Sequence, residues 1–160
     1  MSTFSFLDHN SDNLPDASFM RFGIVVTEWN NHITDAMLKS AVETLIAQGV
    51  AESNITIRRV PGSFELIYGC SQFAQHGYID AIIALGCVIK GDTPHFDYIC
   101  EGTTQGLVQL NVNGKIPVIN GVLTVNTEDQ AIDRAGRTMD KGKEFAITAI
   151  KMVDYMKSFE

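Results

Sequence analysis

Several common architectures are excluded by what the chain has too little of. It contains three cysteines in 160 residues, Cys70, Cys87 and Cys100. An odd number, two of them inside apolar runs, does not suit a disulfide framework and fits a reducing, cytosolic setting. None falls in a C-x-x-C or H-x-x-x-H pattern, so no metal site is expected. No stretch approaches the ~20 apolar residues of a membrane span. The first sixteen residues, with Asp8, Asp12 and Asp16, lack the basic start and apolar middle of a secretory signal. Basic residues are scarce as well: 12 Lys and Arg against 19 Asp and Glu give a net charge of −7. Binding a duplex requires clustered cations that neutralise phosphate. Here Arg134, Arg137, Lys141, Lys143, Lys151 and Lys157 are interleaved with Asp140, Glu144 and Asp154. Nucleic acid is therefore not expected as a partner, and neither is a membrane.

What is present is the composition of one globular domain, 45% hydrophobic and 19% charged, at a length that supports a single core. Residues 1–20 are polar and turn-rich (Asn10, Ser11, Asp12, Asn13, Pro15) and read as a flexible arm ahead of a domain at 21–160. Arg21–Thr27 is a short β-branched run, the pattern of a buried strand. Ile33, Met37, Ala41 and Leu45 then recur every fourth position and predict an amphipathic helix, closed by a left-handed Gly49.

The same alternation repeats down the chain. Ile55–Val60 reads as a strand broken by Pro61 and Gly62, and Ser63 as the cap of a helix running through Phe73 to Gly77. Ala81–Ile89, the most apolar run, predicts the central strand, followed by a helix from Pro94 to about Leu110 and a strand at Pro117–Thr124. Thr127 to Gln130 has a capping-box spacing that opens another helix, and Gly142 separates it from a last helix lined by Phe145, Ile147, Ile150, Val153 and Met156. Strands apolar on both faces, alternating with helices, predict an α/β fold. It is a three-layer α/β/α, flavodoxin-like arrangement with a four-stranded parallel sheet.

In such sheets ligands bind beyond the carboxyl ends of the strands, which directs attention to loops 28–32, 61–65, 90–95 and 125–130. Trp29 is a core residue or a stacking wall for a planar ring, with Asn30 beside it as an amide partner; His32 reads as a helix-start residue. Phe64 can stack on a ligand and Glu65 can accept from its donors, or Glu65 simply favours the positive end of a helix dipole. Thr93 as cap with Pro94 at the first helical position makes a helix start suited to phosphate. Gly86-x-x-x-x-Gly91-Asp92-Thr93 imitates a nucleotide-binding loop, but Asp92 stands where Lys is required, so nucleoside triphosphate binding is rejected. His95, in the first turn, is the acid/base candidate. Arg134, about two turns beyond Thr127, is a solvated cation or a bidentate phosphate donor.

Taken together, Trp29-Asn30 after a strand, Val60-Pro-Gly-Ser-Phe-Glu65, Leu85-Gly-Cys-Val-Ile-Lys-Gly91 with His95-Phe-Asp-Tyr98, and Gln130-Ala-Ile-Asp-Arg-Ala-Gly136 resemble the lumazine synthase family of riboflavin biosynthesis. The resemblance covers about residues 20 to 158. It implies condensation of a ribitylamino-pyrimidinedione with dihydroxybutanone phosphate, with no metal or organic cofactor. By position, Trp29 matches the aromatic that stacks on the pyrimidine. Asn30, Ser63, Phe64 and Glu65 match the ribityl-binding residues, and Cys87, Val88 and Ile89 the strand end that reads the ring edges. Asp92, Thr93 and Arg134 match the phosphate site, and His95 the proton-transferring histidine. Asn120 stands where many members place an aromatic contributed by a neighbouring subunit, and Asp92 where a small neutral residue is usual. Lys141 matches a basic residue before the last helix once one residue is deleted. The resemblance further implies a homo-oligomer built from pentamers, extending to decamers or icosahedral shells, with riboflavin synthase as a further partner. The short Thr138–Gly142 link is similar to that of shell-forming members. Three readings follow: an active synthase, a fold relative that binds a flavin or lumazine without turnover, or a flavodoxin-like phospholigand domain with a regulatory function, which the full set of site motifs disfavours.

Overall fold

A computed structural model of the chain describes residues 13–160. Four strands and five α-helices alternate along it: β1 (Phe22–Thr27), α1 (Asn31–Ala47), β2 (Ile55–Val60), α2 (Leu66–His76), β3 (Ala81–Ile89), α3 (His95–Asn113), β4 (Val118–Val125), α4 (Glu128–Arg134) and α5 (Lys141–Lys157). A 3-10 turn at Glu52–Asn54 leads into β2. The strands form one sheet in the order β2-β1-β3-β4, and every pairing is parallel.

Side chains alternate across a strand, and this divides the core in two. Phe22, Ile24 and Val26 of β1 face one side with Ile83, Leu85 and Cys87 of β3, under Ile33, Met37, Ala41 and Leu45 of α1 and Phe145, Ala146, Ala149 and Ile150 of α5. Val25, Ile82, Ala84, Val118 and Val122 face the other side, under Leu66, Cys70 and Leu107. The α/β/α layering expected from the sequence is the observed one. Gly49 closes α1 at φ 94°, a backbone that β-carbon-bearing residues adopt only at a cost.

The departures have local causes. The arm read at 1–20 lies outside the described residues up to position 12; beyond it, Ala17 and Met20 are buried, so the core begins ahead of Arg21. The apolar-on-both-faces expectation fails at β2, where Ile57, Arg58 and Arg59 are exposed. This strand is a sheet edge, and Arg59 extends to Asp35 at 2.8 Å instead of packing. Ser63 does not cap α2, whose N-cap is Glu65 without a side-chain cap bond. The break before the last helix falls earlier than Gly142: Ala135 bridges Asp140, which caps α5 by accepting from the Lys143 N–H. Gly142 lies inside α5, where a methyl group would clash with the Met37 carbonyl. Its absence lets α1 and α5 cross closely.

Candidate active site

The chain runs from β1 outward to β2 and then crosses back to β3, so neighbouring loops diverge between the carboxyl ends of β1 and β3. That divergence opens a crevice. After β1, the pairing with the β2 side continues past the strand end: the Glu28 N–H donates to the Val60 carbonyl at 2.9 Å and the Trp29 N–H to the Pro61 carbonyl at 3.0 Å. Asn30 then turns into the left-handed region at φ 56°, a conformation that Asn tolerates better than most residues. Its Nδ2 donates to the Cys87 carbonyl at the end of β3, 3.0 Å away. These bonds lay the indole over the next loop, where a methyl at Gly62 would approach it to 3.2 Å. Trp29 is 71% exposed; it is a wall, not a core residue.

Residues 62–66 form a tight turn, with Glu65 N–H donating to the Gly62 carbonyl and Leu66 N–H to the Ser63 carbonyl, each at 3.2 Å. Ser63 is buried because β3 has glycine opposite it: a methyl at Gly86 would meet the Ser63 oxygen at 2.7 Å. The turn thereby pushes Phe64 outward, 54% exposed, with one ring edge against Gly102 of α3.

Beyond β3, His95 is the first residue of α3. The expected start is displaced by one residue: Pro94 occupies the N-cap position and no side chain caps the helix, Thr93 included. Proline cannot extend the helix backward, and it carries the chain out to an exposed His95.

Between these loops lies a cleft of about 430 Å³. It is lined by Trp29, Asn30, Ser63, Phe64, Glu65, Cys87, Val88, Ile89 and His95, together with Gly62 and Ile99. Two aromatic walls, an imidazole, a carboxylate and the backbone end of a strand therefore face one small volume, suited to a planar, hydrogen-bonding ring. Ile99 was not singled out from the sequence, although its spacing of four from His95 puts it on the same helical face.

Asp92, Thr93, Asn120 and Arg134 do not line this cleft. Asp92 and Thr93 are exposed just ahead of α3. Asn120 is exposed on β4, level with Ala84 of β3, and its Oδ1 accepts from the Val122 N–H at 3.2 Å. Arg134 ends α4 and donates to the Gln130 carbonyl at 3.0 Å. Three loops build the cleft, not four. β4 lies beyond the crevice, and the helix after it packs through Ala131 on the α1/α5 side of the sheet.

The thiols carry no charge at neutral pH. Burial first, and the Glu128 carboxylate second, push the Cys87 thiol up to about 12. Cys100 is also raised, by burial and then by Asp97. Neither is poised as a nucleophile.

Residues 19–157 match the family model of 6,7-dimethyl-8-ribityllumazine synthase. A curated 6,7-dimethyl-8-ribityllumazine synthase of Bacteroides fragilis is 59% identical over 140 residues, 87% of this chain and 98% of that protein. That of Phocaeicola vulgatus is 54% identical over 154 residues, covering 96% and 92%. The one from Parabacteroides distasonis is 52% identical over 149 residues, covering 92% and 93%. The chain belongs to the lumazine synthase family. The matched span runs from just before β1 to the last residue of α5 and contains every lining residue of the cleft. For a lumazine synthase family member the crevice between β1 and β3 is thus part of the matched architecture, and no added segment forms it.

Proposed function

We propose that the chain is an active lumazine synthase of the cytosol. It condenses 5-amino-6-(D-ribitylamino)uracil with 3,4-dihydroxy-2-butanone 4-phosphate, releasing phosphate and water to form the lumazine. The observation that carries this reading is the convergence of Trp29, Phe64 and His95 on one cleft at the β3 strand end. Trp29 stacks on the pyrimidine; the backbone of Cys87, Val88 and Ile89 reads its edges; Asn30, Ser63, Phe64 and Glu65 take the ribityl chain.

The chemistry then follows from the substrates. The ring amine attacks the ketone, and loss of water leaves an imine. Proton removal beside the imine expels phosphate, and attack by the ribitylamino nitrogen with loss of a second water closes the new ring. Each step moves a proton, and His95 supplies the imidazole within the cleft, the side-chain type suited to both giving and taking one. A positioned His contributes about 10²–10⁴-fold in rate. Holding both reactants together contributes up to ~7–11 kcal/mol more, which suits a site without a covalent nucleophile.

Phosphate is bound by Asp92 through its N–H, by Thr93 and by Arg134. Arg134 and Asn120 reach the cleft from an adjoining copy in a pentamer-based assembly, with riboflavin synthase acting next. The support is that both residues lie outside the cleft of their own chain, while α3 buries only Thr103 and Leu107 and leaves Tyr98, Val108 and Val112 exposed for a neighbour.

The test mixes both substrates with the protein and follows lumazine absorbance. The wild type is expected to form lumazine, with His95→Ala sharply slower and still able to bind substrate. A wild-type protein that binds a flavin yet forms no lumazine overturns the reading in favour of a binding module.

A further inference from the structure

The loop that carries Trp29 is attached to the rest of the molecule on both sides of the sheet. On the cleft side, Asn30 Nδ2 donates to the Cys87 carbonyl. On the opposite side, two residues further along, His32 Nε2 lies 2.6 Å from Glu128 Oε1. Glu128 is the first residue of α4, directly after Thr127, whose side chain caps that helix. The Glu128 carboxylate is also close enough to Cys87 for its charge to raise the thiol. It therefore lies where α1, α4 and the end of β3 meet. Neither His32 nor Glu128 lines the cleft, although the Glu128 charge reaches the Cys87 thiol.

We infer that His32 and Glu128 form a positioning clamp. It locks the outer end of the Trp29–Asn30 loop to α4, and so fixes the angle at which the indole stands over the cleft. Within its own chain an indole that is 71% exposed packs only against the Gly62 turn, so the bonds of its loop bear on its orientation. With the clamp closed the stacking wall is already in place before a ring arrives, which removes part of the ordering cost of binding. The kinetic consequence rests on the synthase reading; the effect on the free protein does not.

Trp29 is the single tryptophan of the chain, which also has four tyrosines, so fluorescence excited at the red edge, beyond tyrosine absorption, reports this loop. The experiment measures Trp anisotropy and acrylamide quenching on the free protein, and KM for the aminopyrimidine. It uses His32→Ala, Glu128→Ala, the double variant and Glu128→Gln, which keeps an acceptor for the imidazole N–H. Both single alanine variants are expected to lower anisotropy and increase quenching. They are also expected to raise KM about two- to fivefold, the scale of an exposed ion pair, with kcat nearly unchanged. The double variant should be no worse than either single one, and Glu128→Gln should return towards wild type. Unchanged Trp29 signals in both single variants, or effects that simply add in the double, overturn the clamp. If the wild type forms no lumazine at all, the synthase reading falls while the fluorescence comparison still decides the clamp.

Discussion

His95 and Arg134 are both polar side chains on helices, yet they stand in different environments. His95 opens onto the cleft at the first residue of α3; Arg134 lies on the other side of the sheet, bonded to its own helix. Replacing His95 by Ala is expected to lower kcat by about 10²–10⁴-fold with KM changed far less. Arg134→Ala should instead raise KM for the butanone phosphate, and steady-state kinetics with each substrate varied in turn separate the two. The cysteines supply a third test at this scale. Burial pushes the Cys70 thiol to about 12, and Cys87 behaves alike. Between the unfolded thiol value of about 8.5 and that folded value, the unfolded chain sheds protons that the folded chain keeps. Stability therefore falls as pH rises through this window and is untouched by these groups below it. Urea midpoints at pH 7 and pH 10 should show the fall, and Cys70→Ala should make it shallower.

Among the elements, the caps differ in consequence. Thr127 accepts from the Gln130 N–H at 3.2 Å at an exposed helix start, and Gln130 reaches back to the Asn126 N–H at 2.9 Å. This is the reciprocal cap expected from the sequence, shifted by one residue. Asp140 accepts from the Lys143 N–H at 3.0 Å and from the Ser40 hydroxyl of α1 at 2.6 Å, so it joins two helices as well as capping one. Asp140→Ala should cost about 1–2 kcal/mol, at the upper end for a lost cap, and Thr127→Ala less; thermal melts of the two variants give the comparison. The α4 cap was legible because its residues are adjacent in the chain. The Ser40–Asp140 bond was not, since its partners are brought together by the crossing of α1 and α5 alone.

For the molecule as a whole, the two sides of the sheet are covered unequally. The α1/α5 side is closed by long buried stripes, whereas α3 is largely exposed and a groove of about 580 Å³ runs beside α2 and the edge strand β2. Apolar surface of this kind, with Tyr68 and Tyr78 exposed at the groove, favours association with further copies. Sedimentation is expected to give a mass that is a multiple of five chains, and a monomer at micromolar concentration would remove the pentamer-based assembly. The proposed reach of Arg134 and Asn120 into a neighbouring cleft rests on that assembly, so a monomer that still formed lumazine would require another route for them.

Order and type of the elements were readable from the chain because hydrophobic period and turn residues act over a few positions. Parallel pairing followed from strands separated by helices. Phe64, Glu65 and His95 were readable as rim candidates for the same reason: each lies on a segment that leads from a strand into a helix, where the fold class places ligands. Contacts set by distance in space were not. Folding alone decided that Trp29 is a wall, that Thr93 is no cap, that Arg134 does not line the cleft of its own chain, and that His32 finds Glu128. The Thr93 outcome is a local shift of the helix start by Pro94; the His32–Glu128 contact depends on which surfaces the sheet order β2-β1-β3-β4 brings together, and a local pattern carries no record of a neighbour about a hundred residues away.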